Sequence, residues 1–63
     1  MNATKTKYTK REAILFVRRC GENDGPNDYA RAAALFRAIF GREPDRRDGG
    51  TTMIWSQVCA AVK

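Results

Sequence analysis

Apolar residues recur at helical spacing in three stretches of the chain, and polar or turn-forming stretches lie between them. In the first, Ala13, Phe16, Val17 and Cys20 follow one another at intervals of three, one and three, which gathers them on one face at about 100° per residue. In the second, Tyr29, Ala32, Leu35, Phe36, Ile39 and Phe40 share a side. In the third, Ile54, Trp55, Val58, Cys59 and Val62 do the same. No stretch reads convincingly as a strand, and no segment repeats another. The pattern predicts an all-α fold: a small three-helix domain over residues 9–63, preceded by a flexible basic N-terminal arm at residues 1–8. An aromatic-rich centre of Phe16, Phe36, Phe40 and Trp55 is expected.

The boundaries have their own chemistry. Thr9-Lys10-Arg11-Glu12 has the form of a capping box, in which the threonine hydroxyl and the glutamate carboxylate each take a backbone amide of the other residue. Tyr8, just before the cap, is placed to pack on Ala13. Gly21 supplies a left-handed stop, and Arg18 and Arg19 suit the negative end of the helix dipole. The run Glu22-Asn23-Asp24-Gly25-Pro26 is turn chemistry throughout. Asn27 or Asp28 is expected to cap the second helix and Gly41 to end it. Residues 42–50 hold no apolar side chain except Pro44, which predicts a solvated loop longer than the usual helix connection. Thr51 or Thr52 then caps a third helix from about Met53 to Val62.

Length limits what this pattern achieves. A chain of 63 residues is one domain, and a domain of that size buries only about 60% of its unfolded surface. Alanine supplies nine of its hydrophobic positions, so bulky core residues are few and stability is expected to be marginal. There is no run of eighteen apolar residues and no hydrophobic export core in the first fifteen, which points to a cytoplasmic protein with no membrane partner. In that reducing compartment Cys20 and Cys59 are expected as buried, unbridged thiols. With no histidine the two cysteines do not make a closed zinc site, and neither a metal nor a cofactor is expected.

The absence of histidine also removes the commonest general base, and no serine or cysteine has an evident activating neighbour. The chain is therefore read as having no enzymatic activity. Glu43, Asp45 and Asp48 alternate with Arg42, Arg46 and Arg47, which reads as a self-compensated polar loop and not as a metal site. The glycines serve caps and turns, since none stands in a phosphate-binding pattern.

Binding remains, and charge directs it. Twelve Lys and Arg against seven Asp and Glu give a net charge of +5. A helix-turn-helix reader needs a tight turn and an exposed second helix, but the first linker here carries Glu22, Asp24 and Asp28 and the second is about ten residues long. Among Thr52, Ser56, Gln57, Ala60 and Lys63, expected on the outside of the third helix, only Gln57 suits a base contact. Phosphate binding by Lys5, Lys7, Lys10, Arg11, Arg18 and Arg19 needs no motif, so a small basic DNA-binding transcriptional regulator is the alternative reading.

The leading reading is protein binding. Leu15 falls roughly opposite Ala13 and Val17 on the first helix, among Arg11, Glu12, Arg18 and Arg19. Arginine stems cover apolar surface while their guanidinium groups pair with carboxylates, so Arg11, Leu15, Arg18 and Arg19 are the first candidates for a contact patch. Arg42, Arg46 and Arg47 are the second. Ala30, Ala34 and Ala38, bordered by Arg31 and Arg37, form a smooth strip that offers a third. The expectation is a non-catalytic protein that occupies a surface of a larger protein or nucleoprotein complex with acidic character; self-association and direct contact with nucleic acid both fit the composition. Small basic helical proteins are often made by phages and other mobile elements as inhibitors of host machines, anti-CRISPR proteins among them, and size alone brings that class to mind. A net charge of +5 is the wrong sign for a DNA mimic.

Overall fold

The first two helices begin where a side chain takes up an amide of the first turn. The computed structural model describes residues 7–20 and 25–62. Helix α1 spans Lys10–Cys20, and its capping box forms: the Glu12 amide donates to Thr9 Oγ1 at 3.1 Å and the Thr9 amide donates to Glu12 Oε1 at 2.9 Å. The Gly21 stop and the turn residues Glu22, Asn23 and Asp24 lie outside the described residues, as does the arm before Lys7. Helix α2 spans Tyr29–Phe40; Asp28 caps it by accepting from the Arg31 amide at 3.1 Å. Gly41 ends it in the left-handed region (φ 78°), where its amide reaches the Arg37 carbonyl at 2.9 Å and a side chain would be strained. Helix α3 spans Thr51–Val62 and starts two residues before Met53. The Gly50 carbonyl accepts the first helical bond, from Ile54 at 2.9 Å, so Gly50 stands in the capping place and both threonines are drawn into the first turn.

The three apolar faces meet in one core of Ala13, Val17, Ala32, Leu35, Phe36, Ile54, Trp55, Val58 and Cys59. The α2–α3 interface is the most extensive, and α1 packs against both partners while burying only Ala13 and Val17 fully. Trp55, 6% exposed, is central to this arrangement. Its indole meets Phe16 edge-on at 6.2 Å, and Phe16 meets Tyr8 edge-on at 6.0 Å. Backbone covers it as well: a Cβ added at Gly25 would fall on the indole ring, so this position admits no side chain without displacing Trp55.

Helix α2 is turned differently from the expected face. Ala33 and Ala34 are buried along with Ala32, Leu35 and Phe36, and the rotation that brings them inward carries Tyr29 and Phe40 toward solvent. Phe40 is 41% exposed, so of the expected aromatic centre Phe36 and Trp55 are buried and half-buried Phe16 packs against Trp55. The same rotation removes the alanine strip as an outer surface, since Ala34 is only 2% exposed. Methyl-sized side chains are what allow a helix to bury so wide a face against close neighbours.

Residues 42–50 are not simply a solvated loop. A 3-10 turn at Arg46–Asp48 is held by a second capping box, with Asp45 and Asp48 exchanging side-chain and backbone bonds. The Asp48 carboxylate is buried; it accepts from the Asp45 amide at 2.6 Å and from Arg42 Nη1 and Nη2 at 3.1 and 3.3 Å. Arg42 in turn lies over the Phe36 ring, 4.9 Å from its centroid. Gln57 Nε2 donates to the Asp48 carbonyl at 2.9 Å and ties the turn to α3. A mostly polar segment therefore has an ordered connection, because Arg42, Asp45 and Asp48 find partners within it and Gln57 and Phe36 hold it to the adjacent helices. The Arg42 guanidinium, followed by the Asp45 amide, holds the Asp48 carboxyl below its ordinary range, and Asp48 in return raises Arg42.

Candidate binding face

Because α1 buries so little, most of its surface is turned outward. Lys10, Arg11, Glu12, Leu15, Arg18 and Arg19 are all exposed, and Leu15 shows 58% of its surface although it is a large aliphatic residue. It belongs to an open groove of about 820 Å³ lined by Tyr8, Glu12, Leu15, Phe16, Arg18 and Arg19 of the α1 segment and by Arg31 of α2. The lining combines apolar and aromatic side chains with three arginines and one glutamate.

Of the residues singled out in the sequence, Leu15, Arg18 and Arg19 are brought together in this groove. Arg11 is exposed on the same helix but is not part of the lining. Arg42 is engaged with Asp48 and Phe36, which gives it a role within the fold. Arg46 and Arg47 stand exposed on the 3-10 turn, apart from the α1 groove lining. Gln57, the residue best suited to a base contact, has its side-chain amide on the Asp48 carbonyl. This hydrogen bond opposes the geometry a base-reading helix would need.

Arg18 also lines a second, smaller groove of about 230 Å³ with Lys10, Ile14, Ile39, Phe40, Ala61 and Val62. Ile39 packs against the core as expected and also lines this groove, while Phe40, expected in the core, is exposed on it.

Arg31 did not stand out as a contact residue in the sequence. One signal was available: it lies in the first turn of α2, where the Asp28 cap is the acidic residue at the positive end of the helix dipole. Arg18 and Arg19 lie in the last turn of α1, which favours positive charge. Among the described residues, Arg31 Nε is buried with no hydrogen-bond partner.

Among the described residues no three His, Cys, Asp or Glu side chains gather, Cys20 is half-buried, and Cys59 is buried and unbridged. No helix of the described residues is long and apolar enough to cross a membrane. No protein-family model, curated protein or solved structure matches the chain.

Proposed function

We propose that this protein is a non-catalytic binding domain that occupies an acidic surface of a larger protein or nucleoprotein complex through the outer face of α1. The observation that carries the reading is Leu15, a large apolar side chain exposed among arginines in an open groove. A single exposed leucine is ordinary on a monomer, but Leu15 shares its groove with Tyr8 and Phe16, and at an interface such a patch supplies apolar contact inside a ring of charge. Arg18 and Arg19 supply the charge and Arg11 extends it along the helix; Arg46 and Arg47 form a second cationic group on the 3-10 turn. In the cell such a domain would act by obstruction, as an inhibitor of a host machine of the kind made by phages. It needs no cofactor and no metal for that role, and the cytoplasm is where it would meet its target.

The test is recovery of tagged protein from lysate with and without nuclease, using the wild type and the Arg18→Glu/Arg19→Glu variant. A stoichiometric protein that survives nuclease and is lost with the double variant supports the proposal. If recovery depends on nucleic acid, and every basic substitution weakens it alike with a steep dependence on salt, the DNA-binding regulator replaces it.

A further inference from the structure

Arg31 is placed where folding alone gives no reason for it. One feature of its position works against stability: its Nε is desolvated without an acceptor among the described residues, although the Asp28 carboxylate capping α2 stands one turn away. Its backbone amide satisfies the Asp28 cap whatever the side chain, so the cap does not account for an arginine. An arginine held at such a place, on the wall of an open groove, has the form of a residue kept for something the protein meets.

We infer that Arg31 is the specificity-determining residue of the α1–α2 groove, and that its ligand is a carboxylate side chain on an acidic protein segment that also carries an apolar anchor. This rests on the protein-binding reading above and deepens it. The Nε and Nη edge of a guanidinium matches the two oxygens of a carboxylate, so a small rotation of Arg31 into the groove gives Nε the acceptor it lacks. Leu15 and Phe16 receive the apolar anchor, and Arg18 and Arg19 take further acidic side chains.

Other occupants fit less well. A phosphate backbone would meet Glu12 on the wall and gain nothing from Leu15. The rings of Tyr8 and Phe16 meet edge-on, and Phe16 meets Trp55 edge-on in turn, so they do not form a parallel platform for a stack of bases. A second copy of the chain would bring the same arginines against one another.

Fluorescence anisotropy with a defined probe tests this. The probe is a labelled peptide in which glutamates flank one leucine and one phenylalanine; the comparisons are its glutamine counterpart, a polyglutamate and a single-stranded oligonucleotide of equal charge. We expect the acidic apolar peptide to bind most tightly and Arg31→Met to weaken it by about tenfold or more, while Arg31→Lys, which lacks the fork, does not restore it. Arg31→Met is also expected to melt no lower than wild type, a result that a structural role for Arg31 would not give. Peptide binding that is lost with Arg18→Glu/Arg19→Glu but retained with Arg31→Met overturns the inference and leaves the acidic-surface reading standing. Tighter binding to the oligonucleotide, or no peptide binding at millimolar protein, overturns the inference, and preference for the oligonucleotide removes the protein-binding reading as well.

Discussion

Truncating Trp55 to alanine is expected to remove most of the stability of this fold. The side chain is 6% exposed, touches Phe16 edge-on and sits beneath the backbone at Gly25, so its loss leaves a cavity bordered by α1, the linker and α3. Truncations of this size in other cores cost about 3–5 kcal/mol. Natural domains hold roughly 0.05–0.15 kcal/mol per residue, which for this length gives roughly 3–9 kcal/mol in all. The variant is therefore expected to be largely unfolded or to melt far lower, by roughly 12–40 °C on the usual scaling for small domains. Thermal melts followed by far-ultraviolet circular dichroism measure this, with Trp55→Phe falling between the two. Leu15→Ala serves as the control, because an exposed substitution normally changes stability by no more than about 0.5 kcal/mol. A Trp55→Ala protein that melts within about 4 °C of wild type would falsify the placement of α3 against α1 and the linker.

Gly25→Val should drive a side chain into the Trp55 indole and destabilise by about 1–3 kcal/mol, measured by urea titration; an unchanged midpoint would mean that the linker does not lie on the ring. The Arg42–Asp48 pair should make stability depend on pH at the acid end. Asp48 titrates lower in the folded chain than in the unfolded one, so its contribution is complete above the ordinary carboxylate range and disappears as pH falls through the lowered value. Asp48→Asn should flatten that limb, and an acid limb as steep as that of wild type would show that other carboxyls produce it. Alkylation in denaturant without reductant, read by intact mass, should modify both cysteines; under native conditions Cys20 should react before the buried Cys59, and equal rates would contradict the burial.

The capping signals were legible because they are local. Thr9 with Glu12, Asp28 and Gly41 each act within one turn of chain, and the structure uses each of them as written. The faces of α1 and α3 were legible for a similar reason, since a single stripe of large residues fixes each. Helix α2 is apolar almost all the way round, and its alanines allow several rotations that only tertiary contact decides. The connection at residues 42–50 was hidden because its order comes from pairing between polar residues six and nine positions apart, which no periodicity reveals. Leu15, Arg18 and Arg19 could be found on one helix, whereas Arg31 joins them only through the packing of α2 beside α1.

The most direct measurement of the central claim is the affinity of the purified partner for four proteins compared side by side: the wild type, Leu15→Ala, Arg18→Glu/Arg19→Glu and Arg46→Glu/Arg47→Glu. Calorimetry on folded samples, checked by circular dichroism, should find the two α1 variants weakened by about tenfold or more, which corresponds to about 1.4 kcal/mol, and the 3-10 turn variant changed by less than about threefold. Full affinity in both α1 variants, with loss confined to Arg46→Glu/Arg47→Glu, would contradict the account and move the binding face to the 3-10 turn.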